Sequence, residues 1–394
     1  MKIRSGTALC LLLFVVFAGC KGFWNAPPAG GGGGGGGGTT LSSGVFYVLN
    51  QGTGQIVTYS IASGKLTKIN SYNITGPTAI AIAPNKNFLY VSTLAGIYVY
   101  NIDSSGALTL GNNNQVISYD LASAITVDTS NSWLIDAFTN GSGQVVFDAI
   151  PLNSNGTYTS GANVPSAAFA IANATVKQMA LSSDDANVFV ALGAGGTLIV
   201  PFGSSNPFPQ NLRGNTISVQ HNQGSDLSVA VDPSNRLFYV GEVNGNSAGN
   251  SGGLRYFNYS TLAEVSGSPI ASGGLAPNAI LPLSTGSYVY VANGQGASTA
   301  GNLAWFPVTT GGTSTAPTYS LSSGSTVSAG IQPMGLAEDS TGNFVLSVAA
   351  GDNTSAGGNP DLDAYTISSG ELTSALTSAT GTDPVGASAI AALP

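Results

Sequence analysis

The stretch "LSVAVDPSNRLFYVGE" (227–242) decides the fold of this chain. Its first half alternates small and aliphatic residues, and its second half is aromatic and β-branched. Asp-Pro-Ser-Asn, a run of turn-forming residues, separates the two halves. Alternation with a period of two, bounded by such residues, is the pattern of β-strands. The stretch therefore predicts two antiparallel strands joined by a tight turn.

The same pattern recurs along the chain, which indicates a repeat architecture. The further copies are "TAIAIAPNKNFLYVST" (78–93), "SAITVDTSNSWLIDAF" (123–138), "KQMALSSDDANVFVAL" (177–192), "NAILPLSTGSYVYVAN" (278–293) and "MGLAEDSTGNFVLSVA" (334–349). Successive turns lie 45 to 56 residues apart, and a third and a weaker fourth strand fill each interval. Four strands in about 50 residues form one blade of a β-propeller.

The two ends of the repeat region supply one further blade. The last residues, "PVGASAIAALP" (384–394), match a first strand, and the segment 45–73 matches strands two to four. Sharing one blade between both termini removes the open sheet edge. We therefore predict an all-β, seven-bladed β-propeller over 44–394 whose C-terminal strand is innermost in the shared blade.

Residues 1–19 have the pattern of an export signal. The apolar run "TALCLLLFVVF" (7–17) is too short to span a bilayer as a helix, but it fits a signal peptide. The small residues Ala18 and Gly19 then precede Cys20. This arrangement resembles the bacterial lipobox, which implies cleavage before Cys20 and lipidation of its sulfur. The alternative is an ordinary signal peptide with an incidental cysteine.

Residues 20–43 join this signal to the repeats and contain nine consecutive glycines. Such a tract loses too much backbone entropy on ordering to fold, so we expect a tether behind the lipidated Cys20. Cys10 leaves with the signal, so the mature chain has no disulfide. We expect an exported lipoprotein, anchored to the membrane by its lipid, at the outer membrane and periplasm or at the cell surface.

Charge limits the possible partners. Only 7% of the residues are charged, the net charge is −8, and no basic cluster occurs. Affinity for nucleic acids depends on clustered Lys and Arg, so we expect no nucleic-acid partner. We expect a monomer.

Three stretches carry a resemblance to known proteins: 228–242, 79–111 and "YVYVANGQGASTAGNLAWFPV" (288–308). They are similar to the seven-bladed lactonase-type propellers, the 6-phosphogluconolactonase-like and YVTN-repeat group. The resemblance covers essentially all of 44–394 and implies this fold. Phosphogluconolactonases of the group place His and Arg at the blade entrances.

The matching entrances of this chain contain neither His nor Arg: "GPTAI" (76–80), "DLSVA" (226–230), "APNAI" (276–280) and "QPMGL" (332–336). Sites for phosphorylated sugars need several converging cations. The departures therefore argue against 6-phosphogluconolactonase activity.

Two functions remain open. The first is a binding or scaffolding module at the cell envelope, whose ligand is a small molecule, a glycan or a protein. The alternative is a lactonase-like hydrolase for an unphosphorylated lactone, with His221 and Glu242 as acid and base. His221 lies in a fourth-to-first connection, which predicts a position near the channel mouth; otherwise it is a loop histidine bonded to a local carbonyl. A clustered His/Arg/Glu set at the mouth favours hydrolysis, and an uncharged, Asn/Ser-lined mouth favours binding.

Three late blades have long loops between second and third strands, and two of these loops carry carboxylates on the same face. Carboxylate and carbonyl oxygens suit a hard cation such as Ca²⁺, the one cofactor that the sequence suggests. The alternative is that these carboxylates are solvated. The candidate ligands are Glu242, Asp352, Asp361 and Asp363.

Overall fold

The computed structural model describes residues 44–62, 65–209, 211–220, 224–244, 252–296, 299–314, 316–351, 361–377, 384 and 386–393. Seven antiparallel sheets make up this part of the chain. Its single helical element is a 3-10 turn, Asn112–Asn114. None of the described elements is a helix with the length and apolarity that crossing a membrane requires.

Blade 1 joins the two ends of the propeller, as predicted. Its strands, from the inside outward, are β29 (Ala387–Leu393), β1 (Gly44–Asn50), β2 (Gln55–Ala62) and β3 (Lys65–Asn73). Val48 of β1 stands opposite Ile390 of β29. The inner strands of neighbouring blades are in contact all the way round, from blade 1 to blade 7 and back to blade 1. The predicted seven-bladed, all-β propeller is therefore confirmed.

Blades 2 to 5 have four strands each, again ordered from the inside outward along the chain. Blade 2 contains β4 (Pro77–Ile82), β5 (Phe88–Thr93), β6 (Gly96–Ile102) and β7 (Leu108–Leu110). Blade 3 contains β8 (Ala124–Val127), β9 (Trp133–Thr139), β10 (Val145–Pro151) and β11 (Ser166–Phe169). Blade 4 contains β12 (Gln178–Leu181), β13 (Asn187–Ala191), β14 (Thr197–Pro201) and β15 (Asn215–Ile217). Blade 5 contains β16 (Ser225–Val231), β17 (Leu237–Val243), β18 (Gly253–Asn258) and β19 (Ile270–Ala271).

Blade 6 departs from the four-strand prediction. It contains β20 (Ala276–Pro282), β21 (Tyr288–Gly294), β22 (Ala300–Thr313), β23 (Ala316–Leu321) and β24 (Thr326–Ile331). The 14-residue β22 pairs with β24 through its first part and with β23 through its last part. An extra hairpin is thus inserted before the fourth strand. Blade 7 has the four strands β25 (Pro333–Glu338), β26 (Phe344–Ala349), β27 (Leu362–Ser368) and β28 (Glu371–Thr377).

Buried tyrosines of the second strands connect consecutive blades. The Tyr90 hydroxyl of blade 2 donates to the Gly156 carbonyl in the outer hairpin of blade 3, at 3.0 Å. Tyr47 donates in the same way to Gly106, and Tyr290 to Gly370. The three glycines have φ of 83°, 75° and 83° for residues 106, 156 and 370, in the left-handed region that favours glycine. The repeated Tyr-Val pair and the repeated hairpin glycine therefore form one contact between blades.

The aspartates that recur before the second strand make the turns. Asp128 Oδ1 accepts hydrogen bonds from the amides of Ser132 and Trp133, both at 2.7 Å. Asp339 Oδ1 accepts from Asn343 and Phe344 in the same way. Side-chain bonds of this kind replace backbone bonds in a tight turn. These carboxylates therefore serve the turns, on the face opposite the channel mouth.

Candidate functional site

The mouth of the central channel is formed by the ends of the inner strands. Fourth-to-first connections and second-to-third loops both emerge on this face, because the four strands of each blade alternate in direction. In every blade, one residue of the first strand is paired with the residue at the structurally equivalent position of the second strand. These residues are Ile80, Ile125, Met179, Val229, Ile280, Leu336 and Ile390. They give a common register for comparing the seven entrances.

The residues two positions before these, one from each blade, form a set that we call the mouth ring. Six of its members are half-buried, and Ser388 is 5% exposed. The ring consists of Thr78, Ser123, Lys177, Leu227, Asn278, Met334 and Ser388. A ring of register-equivalent side chains around the channel is where a propeller can contact a ligand.

In five blades the ring residue is the extra residue of a β-bulge. In blade 2, Pro77 stands opposite Thr93 and Ala79 opposite Ser92, so that Thr78 has no partner in the ladder. The same shift occurs at the ring residues of blades 1, 5, 6 and 7. A bulge bends the strand locally and redirects a side chain. The ring is therefore built by a repeated local distortion at the strand entrance.

Side-chain hydrogen bonds join neighbouring blades at the mouth. Thr78 Oγ1 donates to the Ala122 carbonyl of the next blade at 2.8 Å. Asn278 Nδ2 donates to the Pro333 carbonyl at 3.0 Å. Because these bonds fix the ring side chains, the mouth is held in a defined shape.

The ring carries a single charge, the ammonium group of Lys177. Its side chain runs beside Gly193, where an added Cβ would lie 3.3 Å from Lys177 Cε and 3.6 Å from Ser225 Oγ. The remaining ring residues are hydroxyl, amide or apolar. Six of the seven ring side chains are thus uncharged, as the binding prediction expects, whereas Asp226, Glu242 and Arg255 form a charged group at the entrance to blade 5.

A cleft of about 620 Å³ opens on the same face between blades 1 and 2. Its walls include Asn73 and Thr75 of the connection between the blades, and Tyr98 and Tyr100 of β6. None of its lining residues is charged. Aromatic rings beside amide and hydroxyl groups are suited to a neutral, hydroxyl-rich molecule.

Next to the ring, blade 5 contains a group of ionisable residues that we call the blade 5 cluster: the buried Asp226, Glu242 and Arg255 and the exposed Glu264. Asp226 and Glu242 stand opposite each other in the ladder of β16 and β17. Arg255 Nη1 lies 3.2 Å from Glu242 Oε2, and Arg255 Nη2 lies 2.9 Å from Glu264 Oε2. Glu242 is fully buried and also accepts a 2.7 Å hydrogen bond from the Gln220 amide.

Burial raises the pKa of the Asp226 carboxyl to about 7. The hydrogen bond from Thr197 Oγ1, at 2.6 Å, lowers this pKa in part, whereas the charge of Glu242 raises it. Asp226 Oδ1 has no hydrogen-bonding partner among the described residues. Asp226 therefore changes its protonation state near neutral pH, directly behind the mouth.

Arg255 lowers the pKa of Glu264, another acid of the cluster. Burial alone would raise the pKa of Glu264, but the hydrogen bonds from Arg255 and Ser268 outweigh it and hold this pKa below its usual range. Arg255 also donates to the Ser218 carbonyl at 2.9 Å and stacks on the Phe257 ring at 5.1 Å. The guanidinium thus ties the connection that contains Ser218 to blade 5.

The residues proposed from sequence have different outcomes. Cys20, His221 and Asp352 lie outside the described residues. Glu242 lies in the blade 5 cluster. Asp361 Oδ2 accepts a 3.3 Å hydrogen bond from the Gly386 amide, and Asp363 accepts one from Tyr365 at 3.2 Å. Both of these aspartates are buried in blade 7 rather than solvated.

The calcium prediction at the long loops stays a prediction, because much of those loops lies outside the described residues. Within the described part, Glu242 belongs to blade 5 and Asp361 and Asp363 to blade 7. The group of three acids whose carboxylate oxygens approach within 4.8 Å of one another lies elsewhere, in blade 3 and the connection before it.

Lys177, Asp226 and Arg255 were not identified from the sequence. Asp226 directly precedes the hairpin 227–242 and Glu242 is its last residue, so the register of the hairpin could have placed them opposite each other. To place Arg255 in the cluster, one would have to know how β18 pairs with β17, a pairing in which Arg255 stands opposite Val240. That pairing depends on a loop whose length the repeat pattern does not fix.

The fold and the mouth define a β-propeller with seven blades. Solved structures with this arrangement include the periplasmic gluconolactonase of Pseudomonas aeruginosa, with a TM-score of 0.66 and 16% identity. That comparison covers 90% of this chain and 99% of the other. A candidate 6-phosphogluconolactonase from Bacteroides fragilis gives a TM-score of 0.67 and 14% identity, over 90% and 99% of the two chains.

A candidate 6-phosphogluconolactonase from Bacteroides uniformis gives a TM-score of 0.68 at 14% identity, over 89% of this chain and 100% of the other. No family model matches the sequence. No curated protein matches it either. At these identities the likeness establishes the fold, and the function has to be argued from the site.

Proposed function

We propose that this protein binds an uncharged, hydroxyl-rich ligand, of the class of neutral sugars, at the mouth of the propeller. The observation that carries the proposal is the mouth ring, in which one of seven register-equivalent side chains is charged. Hydroxyl and amide groups there can both donate and accept hydrogen bonds. A phosphorylated ligand would need a set of cations that the ring does not contain.

The proposed place of action is the cell envelope. The pattern at Ala18, Gly19 and Cys20 supports lipid attachment, and the glycine-rich segment supports a tether between lipid and propeller. With such a tether, the domain would reach ligands some distance from the membrane surface. The Pseudomonas gluconolactonase is a periplasmic protein, which is compatible with this setting.

Binding can be tested with an array of neutral and anionic glycans, followed by calorimetric titration of the strongest neutral glycan. We expect neutral glycans to bind and Asn278→Ala to weaken binding by about tenfold, because one well-placed hydrogen bond contributes about 1 kcal/mol or more. The matched control is Asn343→Ala in an exposed turn on the opposite face. Binding of anionic glycans alone, or equal loss in both variants, would contradict the proposal.

Lactone hydrolysis is the second candidate function, and Asp226 favours it. A carboxyl group with a pKa of about 7 is suited to general acid–base work at neutral pH. All three structural neighbours described above are named for lactone chemistry. Asp226 is fully buried, so a substrate would have to displace the groups that cover it. For this reason binding is the first proposal.

The rate of D-glucono-1,5-lactone hydrolysis above the spontaneous rate distinguishes the two functions. A hydrolase that uses Asp226 would show a pH–rate inflection near pH 7, set by the pKa of this carboxyl, which Asp226→Asn removes. His221→Ala tests the histidine singled out from the sequence. A rate equal to the spontaneous rate would leave binding as the function.

A further inference from the structure

Three aspartates come together between blades 2 and 3, away from the blade 5 cluster. Asp136 lies in β9, Asp148 in β10, and Asp120 in the connection 111–123 that leads into blade 3. Each offers a carboxylate oxygen, and the three oxygens lie within 4.8 Å of one another. We propose that this three-aspartate cluster is a Ca²⁺ site that fixes the connection between the two blades.

The backbone brings these carboxylates together. Asp136 and Asp148 are direct partners in the ladder of β9 and β10. The connection is attached to blade 2 by a hydrogen bond from the Ile97 amide to the Ser118 carbonyl, at 2.8 Å, which brings Asp120 over the sheet. The Ser118 hydroxyl also donates to the Asp120 carboxylate.

The spacing suits a single ion. Oxygen ligands lie 2.3–2.6 Å from Ca²⁺, so two ligands of one ion are at most about 5 Å apart. The mutual separation of the three carboxylate oxygens satisfies this limit. Their charges sum to −3 when all are ionised, and the described groups that shift the pKa of Asp136 include no cation.

Asp136 is the observation that points to a ligand. Its side chain is fully buried, and neither of its carboxylate oxygens has a hydrogen-bonding partner among the described residues. Buried polar atoms are almost always paired, because an unpaired one loses its hydration without replacement. A bound cation between Asp136, Asp120 and Asp148 supplies the missing partner.

The fold itself does not require an acid at this position. The residues in the same register of the other second strands are Val48, Val91, Val190, Val240, Val291 and Ser347. Five of these six side chains are apolar, and they belong to the packed interface between blades. Blade 3 therefore replaces a core valine by an ionisable group, which is expected where the group has a ligand to hold.

Electrostatics agree with the geometry. Burial raises the pKa of Asp136 well above its usual range, and the charges of Asp120 and Asp148 raise it further. The close approach of the Asp120 carboxyl, which lies outside strict hydrogen-bond geometry, raises it as well. The amide of Asp148, which does not meet the oxygens in hydrogen-bond geometry, offsets only part of the rise. A divalent cation reverses this effect, because it stabilises the ionised forms of all three groups.

The ligand set selects a hard cation. All three groups offer oxygen, which suits Ca²⁺ or Mg²⁺ rather than Zn²⁺. Asp120 and Asp148 are half-exposed, so water can complete the coordination. Ca²⁺ accepts such an irregular set, whereas Mg²⁺ demands near-octahedral geometry.

The test is calorimetric titration of CaCl₂ into the full chain after chelation and removal of the chelator. We expect one saturable site with a dissociation constant of about 1 mM or lower and a rise of the thermal midpoint by a few degrees at saturation. Asp136→Asn should weaken Ca²⁺ binding at least tenfold while leaving the chain folded, because asparagine keeps the shape without the charge.

Asp148→Asn at the half-exposed position is the second variant, in case Asp136→Asn does not fold. The matched control is Glu371→Gln, which removes one exposed carboxylate from blade 7 and should leave binding unchanged. Absence of saturable Ca²⁺ binding, tighter binding of Mg²⁺, or unchanged Ca²⁺ binding in both aspartate variants would overturn the proposal.

Discussion

The ionisation of Asp226 makes a quantitative prediction about stability. The pKa of this carboxyl is about 7 in the folded protein, against 3.8 for an unperturbed aspartate. Between these two values the folded chain holds a proton that the unfolded chain has released. Folding stability contributed by this group is therefore present at low pH and is lost as pH rises towards 7.

The size of the effect follows from the pKa difference. Within this window the free energy of unfolding falls by about 1.4 kcal/mol per pH unit, because one proton separates the two states. Between about pH 5 and pH 9 the loss due to Asp226 is about 3 kcal/mol, since the slope vanishes above the folded pKa. Asp226→Asn removes this contribution, because its side chain is neutral at every pH.

Urea unfolding of the wild type and of Asp226→Asn at several pH values measures the difference. We expect the free energy of unfolding of the variant, relative to wild type, to rise by about 3 kcal/mol across the range. Glu371→Gln, on the exposed outer strand of blade 7, should give a nearly constant difference. A constant difference for Asp226→Asn as well would refute the idea that this carboxyl is protonated in the folded state.

Three further predictions concern the blade contacts and the anchor. Tyr90→Phe should lower the free energy of unfolding, measured by urea, by about 1–2 kcal/mol, because it leaves a buried carbonyl unpaired. The hydroxyl of Tyr239 has no partner among the described residues, so Tyr239→Phe should be neutral or stabilising in the same assay. Gly370→Ala should lower the thermal midpoint, because a Cβ at this positive-φ position would lie 2.0 Å from the Tyr288 ring. An unchanged midpoint would contradict so close an approach of the two residues. Radiolabelled palmitate should label the wild type and not Cys20→Ala, and equal labelling would refute the lipid anchor.

Most of the fold was predictable because each blade repeats the same local chemistry. The hairpin 227–242 contains the first strand, an aspartate-containing turn and the second strand, and all three occur in the structure. The shared blade was also predictable, since 384–394 lacks a following strand and 45–73 lacks a preceding one. The extra hairpin of blade 6 was not, because residues 308–321 resemble the polar turn that other blades place there.

The site was less predictable than the fold. The mouth ring depends on bulges that shift the register by one residue. At Thr78 and Asn278 the preceding Pro77 and Pro277 are a sequence mark of such bulges, but this mark alone does not identify the ring. The three-aspartate cluster joins residues from two strands and one connection, so sequence spacing alone does not reveal it. Asp136 did carry a signal, because it interrupts an otherwise apolar second strand.

Binding of a neutral glycan at the mouth tests the central claim most directly. The measurement is a calorimetric titration of the strongest neutral array ligand into wild type, Lys177→Gln and Lys68→Gln. Lys177 belongs to the mouth ring, and Lys68 is exposed on the outer strand of blade 1. The predicted result is saturable binding whose dissociation constant changes in Lys177→Gln and stays the same in Lys68→Gln. Binding that is absent, or equal in all three proteins, would contradict a ligand site at the mouth.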